Sequence, residues 1–216
     1  MEHIFKTVGL SQRILDMIPP IIKRCRECRV WTTPTEDTIP SILVSTQFNQ
    51  HVGIDLMFYK QHIIFHGIGR AIMSHASCQI PDNISSTLLD ALYTIWIGTY
   101  GPMSVLVLDG ESGLNNPQAI RHLQHDGIQQ NTRAPKQQVP HIDRRGALLR
   151  HTMHVMEEEL TRQNLDVTFD RLLAWATFVG NCFSAIGNTT PYQALYGRQP
   201  PFLPEPDDPE RLESGE

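Results

Sequence analysis

The sequence predicts an α/β domain: one mixed five-stranded sheet with helices on both faces. Three observations predict it. Residues 51–80 read as three consecutive strands with no helical spacing between them. "MSVLVLD" (103–109) is a short, almost continuous apolar run, the texture of a strand covered on both sides. Helical periodicity then alternates with strand texture around that run, giving the order β-β-β-α-β-α-β-α-α, which layers helices on both faces of one sheet.

Residues 1–33 form a short preceding unit, a helical pattern that "IPP" at 18–20 is expected to break, followed by "CRECRVW". The polar, Pro-bearing stretch "TTPTEDTIPS" reads as a linker, set at 34–44, and the main domain spans 45–200. "HVGIDLMFYK" (51–60) and "QHIIFHGIGRAIMSHASCQI" (61–80) carry the three strands as an antiparallel meander, with a turn expected near Gly67 to Gly69. "SSTLLDALYTIWIGTYG" (85–101) spaces Leu88, Leu89, Leu92, Ile95 and Trp96 helically, opens on a serine cap and stops at glycine and proline. "NPQAIRHLQHDG" (116–127) is a second helix, with Asn116 as its cap, Pro117 in first position and Gly127 at its end.

"IQQNTRAPKQQVP" holds a brief strand and then a polar loop. Long helices follow over 141–163 and 168–186, the second apolar on most sides and expected to pack inward. The tail from 201 to 216 is acidic and Pro-rich, the composition of a disordered segment. The expected sheet carries its first strand and the "VLVL" strand at its centre.

Composition narrows the function classes. Hydrophobic residues make up 40% of the 216 and charged residues 19%, which suits a domain with a real core. No apolar run approaches a membrane-spanning helix, and the N-terminus lacks a signal-peptide pattern, so an intracellular location is the expectation. A net charge of −5 excludes coating nucleic acid by charge alone, but not engaging DNA through a local patch. The four cysteines do not form a disulfide framework; Cys78 and Cys182 read as small buried residues.

The acids are the chemical candidates. Asp55 sits mid-strand in "VGIDLMF", where a carboxylate either faces water or needs a cation, because burying it alone costs several kcal/mol. Asp109 closes the fourth strand in "VLVLDGESGLNN", as a plain turn-former or as a ligand. With the first and fourth strands parallel neighbours, the two carboxylates lie side by side and repel each other unless a divalent cation intervenes. Asp143, at the start of the long helix, is the third candidate, or merely a first-turn acid favoured by the helix dipole. Three such acids suit Mg²⁺ or Mn²⁺, and two ions about 3.5–4 Å apart would support an in-line phosphoryl displacement. Arg144 and Arg145 directly follow, and with Lys136 in the polar loop they are the candidate phosphate contacts.

In this order the landmarks resemble the integrase catalytic core of LTR retrotransposons and retroviruses, of the ribonuclease-H-like superfamily. They are "GIDLMF", "WIGTYGPMSVLVLDGESGL", "DGIQQNTRAP…HIDRRGALLR" and "NTTPYQALYGRQP", and they cover about residues 45–200. The resemblance implies a ribonuclease-H-like sheet with Asp55, Asp109 and Asp143 as the catalytic, metal-holding triad. It implies Mg²⁺- or Mn²⁺-dependent trimming of DNA 3′ ends and strand transfer into target DNA, in the nucleus, by a homo-oligomer cut from a polyprotein.

Two positions depart from the family pattern. The third acid is normally glutamate, and here Asp143 is shorter in reach by more than about 1 Å. Only 33 residues separate Asp109 from Asp143, slightly fewer than usual. Cys25 and Cys28 match the second half of the family's N-terminal His-His-Cys-Cys Zn²⁺ unit. Only His3 lies upstream of them, so the resemblance places the histidine pair in sequence before Met1 and leaves a partial zinc-binding-like segment here.

Other polar and aromatic residues read as structural. His62, His66 and His75 are taken as surface or satisfied core histidines, and Trp96, Trp175 and Phe178 as core. The rival to an active enzyme is a decayed or domesticated remnant that binds nucleic acid or serves as scaffold. A ribonuclease H acting on RNA–DNA hybrids shares the fold and metal logic and is a weaker rival.

Overall fold

The computed structural model describes residues 11–24, 45–108, 113–132, 140–185 and 187–201. Helix α1 (Gln12–Arg24) precedes strands β1 (His51–Tyr59), β2 (His62–Gly69) and β3 (His75–Ile80). Next come α2 (Ser85–Leu92), a π-helical turn (Tyr93–Ile97), the short α3 (Gly98–Tyr100), β4 (Val105–Leu108), α4 (Pro117–His125) and β5 (Gln129–Thr132). Helices α5 (Pro140–Arg162), α6 (Phe169–Phe183) and α7 (Pro191–Tyr196) close the described chain.

The five strands form one sheet in the order β3-β2-β1-β4-β5. The first three pair antiparallel, and β1 with β4 and β4 with β5 pair parallel. This is the expected mixed sheet, with β1 in the middle and the apolar "VLVL" strand beside it.

Period-two alternation along β1 divides the core between the two faces. Val52 and Ile54 point to one face, where Phe65, Leu88, Leu92, Trp96, Leu106, Leu108 and Leu123 join them. Met57 and Tyr59 point to the other, against Ile64, Leu149, Met153, Leu172 and Leu173. Each fully buried side chain of this size contributes roughly 1.5–3 kcal/mol, so apolar stripes, more than helix propensity, dock these helices.

Polar staples set the angles. Asn116 accepts from the Gln118 and Ala119 N–H groups (3.1 and 3.0 Å), capping α4 as its sequence predicts, with Pro117 following. Asn49, at φ 61°, donates to the carbonyls of Tyr100, Gly101 and Pro102 and accepts from Trp96 Nε1 at 2.8 Å. That one amide ties the end of the α2–α3 segment to the entry of β1. Thr190 and Gln193 form a reciprocal capping box on α7, and Gly197 ends the helix at φ 66°.

Four local expectations change. Helix α1 continues through Pro19 and Pro20 instead of breaking at 18–20; the fixed φ of proline is compatible with a helix, at the cost of lost N–H donors and ring crowding against the preceding turn. The turn after β2 lies beyond Gly69, and Gly67 and Gly69 end the strand because Trp96 crosses them. A Cβ would stand 3.3 Å from Trp96 at Gly67, and at Gly69 2.6 Å from Ser74 Oγ and 3.1 Å from Trp96. Ser85 does not cap α2: Ile84 holds the cap position, and Ser85 Oγ accepts from Asn116 Nδ2 at 2.8 Å. Trp175 is 55% exposed rather than core, because the buried stripe of α6 runs through Leu172, Leu173, Ala176 and Thr177. Cys182 is buried as expected and Cys78 is half-buried; both are free thiols, which burial raises to about 12 and about 11.

Candidate functional site

Asp55 lies on the α5-facing side of β1, in line with Gly53, Met57 and Tyr59. Its side chain is 39% exposed. One carboxylate oxygen is held by a hydrogen bond and the other faces an imidazole. The Leu56 N–H donates to Oδ1 at 2.8 Å, and Oδ2 stands 3.9 Å from Nε2 of His66, its cross-strand neighbour on β2.

The first turns of α5 sit directly over this strip. Gly53 makes the close approach feasible: a Cβ there would lie 2.2 Å from Ile142 Cδ1 and 3.0 Å from its Cγ1. One turn on, Gly146 rests on the His66 imidazole, where a Cβ would stand 3.4 Å from Cε1 and 3.8 Å from Met57 Sδ. Ile142, Arg145, Gly146, Leu149 and Met153 are the buried stripe of the helix. Asp143 and Arg144 follow Ile142 and are exposed. Asp55 thus lies on the face of the sheet that the first turns of α5 cross.

Arg145 departs from the phosphate-contact expectation. It is 4% exposed, and its guanidinium donates to the carbonyls of Met73 (2.6 Å) and Gly180 (3.3 Å). A head group enclosed between α5, α6 and the β2–β3 connection is not presented to a ligand. Burial lowers its pKa to about 10, which leaves it charged at neutral pH.

Asp109, the second acid, lies outside the described residues, as does Lys136. Cys25 and Cys28, expected as half of a Zn²⁺ unit, lie outside them too. Among the described residues no three His, Cys, Asp or Glu side chains stand together as a metal-holding group. Asp55 nevertheless fits a hard cation: it is an oxygen donor, partly exposed, with one oxygen held by a backbone N–H. Glu157, the other acid of the long helix, is committed elsewhere. It accepts from Tyr59 Oη at 2.9 Å and from Lys60 Nζ at 2.5 Å, with His154 Nδ1 3.0 Å from the same hydroxyl.

Behind Asp55 lies a buried polar cluster that reading along the chain does not reveal. His66 is 1% exposed and His75 4%, their rings 5.3 Å apart at 67°. Burial, then His66 and Arg145, hold the His75 pKa well below its ordinary value, so this imidazole is neutral. Asn181 of α6 clamps the His75 backbone, accepting from its N–H at 2.9 Å and donating to its carbonyl at 2.7 Å. Among the described residues His66 Nδ1, His75 Nε2 and Arg145 Nε have no side-chain or backbone hydrogen-bond partner. The available signal was period two: His66 faces the same side as Ile64, and pairing β2 with β3 puts His75 on that side too.

The chain matches no protein-family model, and no curated protein matches it. Solved structures do match. The HTLV-2 integrase catalytic core domain, solved in complex with magnesium, superposes at a TM-score of 0.57 with 12% identity, over 68% of this chain and 95% of that one. The catalytic core domain of BIV integrase gives 0.58 and 17%, over 68% and 93%. A chain of the simian T-cell lymphotropic virus intasome, in complex with the PP2A regulatory subunit B56 gamma, gives 0.65 and 14%, over 96% of this chain and 77% of that one. At such identities the likeness establishes the fold alone, the one that these integrase catalytic cores share.

Proposed function

We propose that this domain cleaves and joins DNA with divalent metal: trimming 3′ ends, then using the freed 3′-hydroxyl to attack a target phosphodiester. The observation that carries the reading is Asp55, pre-oriented on the central strand beneath the helix turn that bears Asp143. Asp109 joins them in the proposal, because it lies two residues beyond Val107 as Asp55 lies two beyond its register partner Gly53.

Mg²⁺ or Mn²⁺ bound by these acids would polarise the scissile phosphate and the attacking oxygen. The chain's own contribution is to hold the carboxylates. The Leu56 N–H fixes one oxygen of Asp55, and the α5 seat on Gly53 fixes the turn preceding Asp143. Exposed Arg144 and the Lys136 loop are the phosphate contacts of this reading. A homo-oligomer is supported by the intasome and by the dimeric and trimeric forms of the HTLV-2 core; DNA as substrate and the nucleus as its place are parts of the proposal.

The experiment is Mn²⁺- or Mg²⁺-dependent 3′-end cleavage and strand transfer on short duplex DNA. Activity lost in Asp55→Asn and Asp109→Asn supports the reading, and variants indistinguishable from the parent refute it. The second reading, a scaffold or binding remnant without chemistry, is favoured by one observation: Asp143 stands where the resemblance calls for glutamate. Metal-dependent activity that appears only in Asp143→Glu would select it.

A further inference from the structure

We propose that His66 is the positioning residue for Asp55: it presents an Nε2–H to Oδ2, and the buried His75–Arg145 brace holds the ring in that orientation. The inference rests on the proposed role of Asp55 as a metal ligand.

Three observations carry it. The first is placement. His66 is the register partner of Asp55, and of its two ring nitrogens Nε2 is the one 3.9 Å from the carboxylate. That distance exceeds a hydrogen bond, so the N–H acts as an aimed dipole whose direction depends on the ring staying fixed. The second is enclosure. Gly146 lies against Cε1 and Nε2, His75 packs edge-on at 5.3 Å, and the side chain is 1% exposed. Rotating such a ring would displace α5 or β3.

The third observation is the brace. Arg145 adjoins Gly146 and reaches the carbonyls of Met73 and Gly180, joining α5 to α6 and to the β2–β3 connection. Asn181 fixes the His75 backbone to α6 from the other side. A buried arginine hydrogen-bonded only to carbonyls is expensive to desolvate, and a structural clamp behind a ligand is a use for it. Of the two ring nitrogens, Nε2 faces the carboxylate and Nδ1 is turned into the cluster. Groups hydrogen-bonded to a metal ligand change metal affinity by about 10–100-fold when removed, and a donor 3.9 Å away stands at the low end of that range.

The test uses the full chain. In the metal-free, ¹⁵N-labelled protein, imidazole nitrogen shifts report the His66 tautomer, and the expected form carries the proton on Nε2. Titration with Mn²⁺, read by electron paramagnetic resonance of the free ion, gives the affinity without any activity measurement. His66→Phe keeps the ring and loses the donor, and should bind Mn²⁺ about 10-fold more weakly. His66→Gln, whose amide can reach the Nε2 point, should stay closer to the parent than to His66→Phe.

An Nδ1–H tautomer, or His66→Phe binding Mn²⁺ as tightly as the parent, overturns the proposal. So does His66→Gln weakened as much as His66→Phe, since that marks a packing role alone. If His66→Phe does not fold, the tautomer and the Gln variant decide. Failure of the underlying metal reading looks different: Asp55→Asn would then bind Mn²⁺ like the parent, while the tautomer still judges His66.

Discussion

Replacing Gly53 by alanine tests how the third acid is carried to the first. The added Cβ would stand 2.2 Å from Ile142 Cδ1 and 3.0 Å from Cγ1, and Ile142 is only 2% exposed. The isoleucine must change rotamer inside a packed layer, or the first turn of α5 must lift. Overpacking of this kind costs about 1–3 kcal/mol, equivalent to a fall in Tm of about 2–4 °C per kcal/mol for a domain of this size. Because Ile142 directly precedes Asp143, Gly53→Ala should also weaken Mn²⁺ binding. A cavity variant of similar cost on the opposite face, such as Leu123→Ala, should leave it unchanged.

The partner substitution makes the argument quantitative. Ile142→Val deletes the atom in closest conflict and alone costs about 0.5–1.5 kcal/mol. In the Gly53→Ala background it should instead raise stability. Thermal or urea unfolding of the parent, both single variants and the double variant measures the coupling. A Gly53→Ala protein as stable as its parent, or strictly additive changes, would show that Ile142 is not seated on Gly53 and that α5 crosses β1 elsewhere.

Further outcomes follow from other contacts. Asn49→Ala removes the acceptor for Trp96 Nε1–H and the donor to three carbonyls, and should cost at least about 1–3 kcal/mol in urea unfolding. Glu157→Gln should cost about 1 kcal/mol or less, since its pair with Lys60 is largely exposed, and should leave Mn²⁺ affinity unchanged because it lies about 21 Å along the helix from Asp143. His75, held neutral when folded, binds no proton as pH falls below its ordinary value of 6.5, whereas the unfolded chain does. Stability should therefore be complete above that pH and decline below it, with a slope approaching about 1.4 kcal/mol per pH unit. His75→Gln should reduce that slope in urea titrations between pH 7 and 5.

The features legible along the chain are local in origin. Alternation set the strands of 51–80, the Asn116–Pro117 pair set the start of α4, and the apolar "VLVL" run announced a strand buried beside β1. Asp55 and Asp143 stood out because a carboxylate among apolar neighbours, or at a helix start, demands a physical reason. Contacts between residues far apart in sequence needed the tertiary structure. Gly67 and Gly69 read as turn-formers, yet they are glycine because Trp96 crosses them. Arg145 read as a phosphate contact beside Arg144, yet a 100° step around the helix turned it inward while its neighbour stayed exposed. His66 and His75 read as unrelated, and only the β2–β3 register brought their rings to 5.3 Å behind Asp55. Periodicity tells which face a residue takes; strand register and helix seating decide what it meets there.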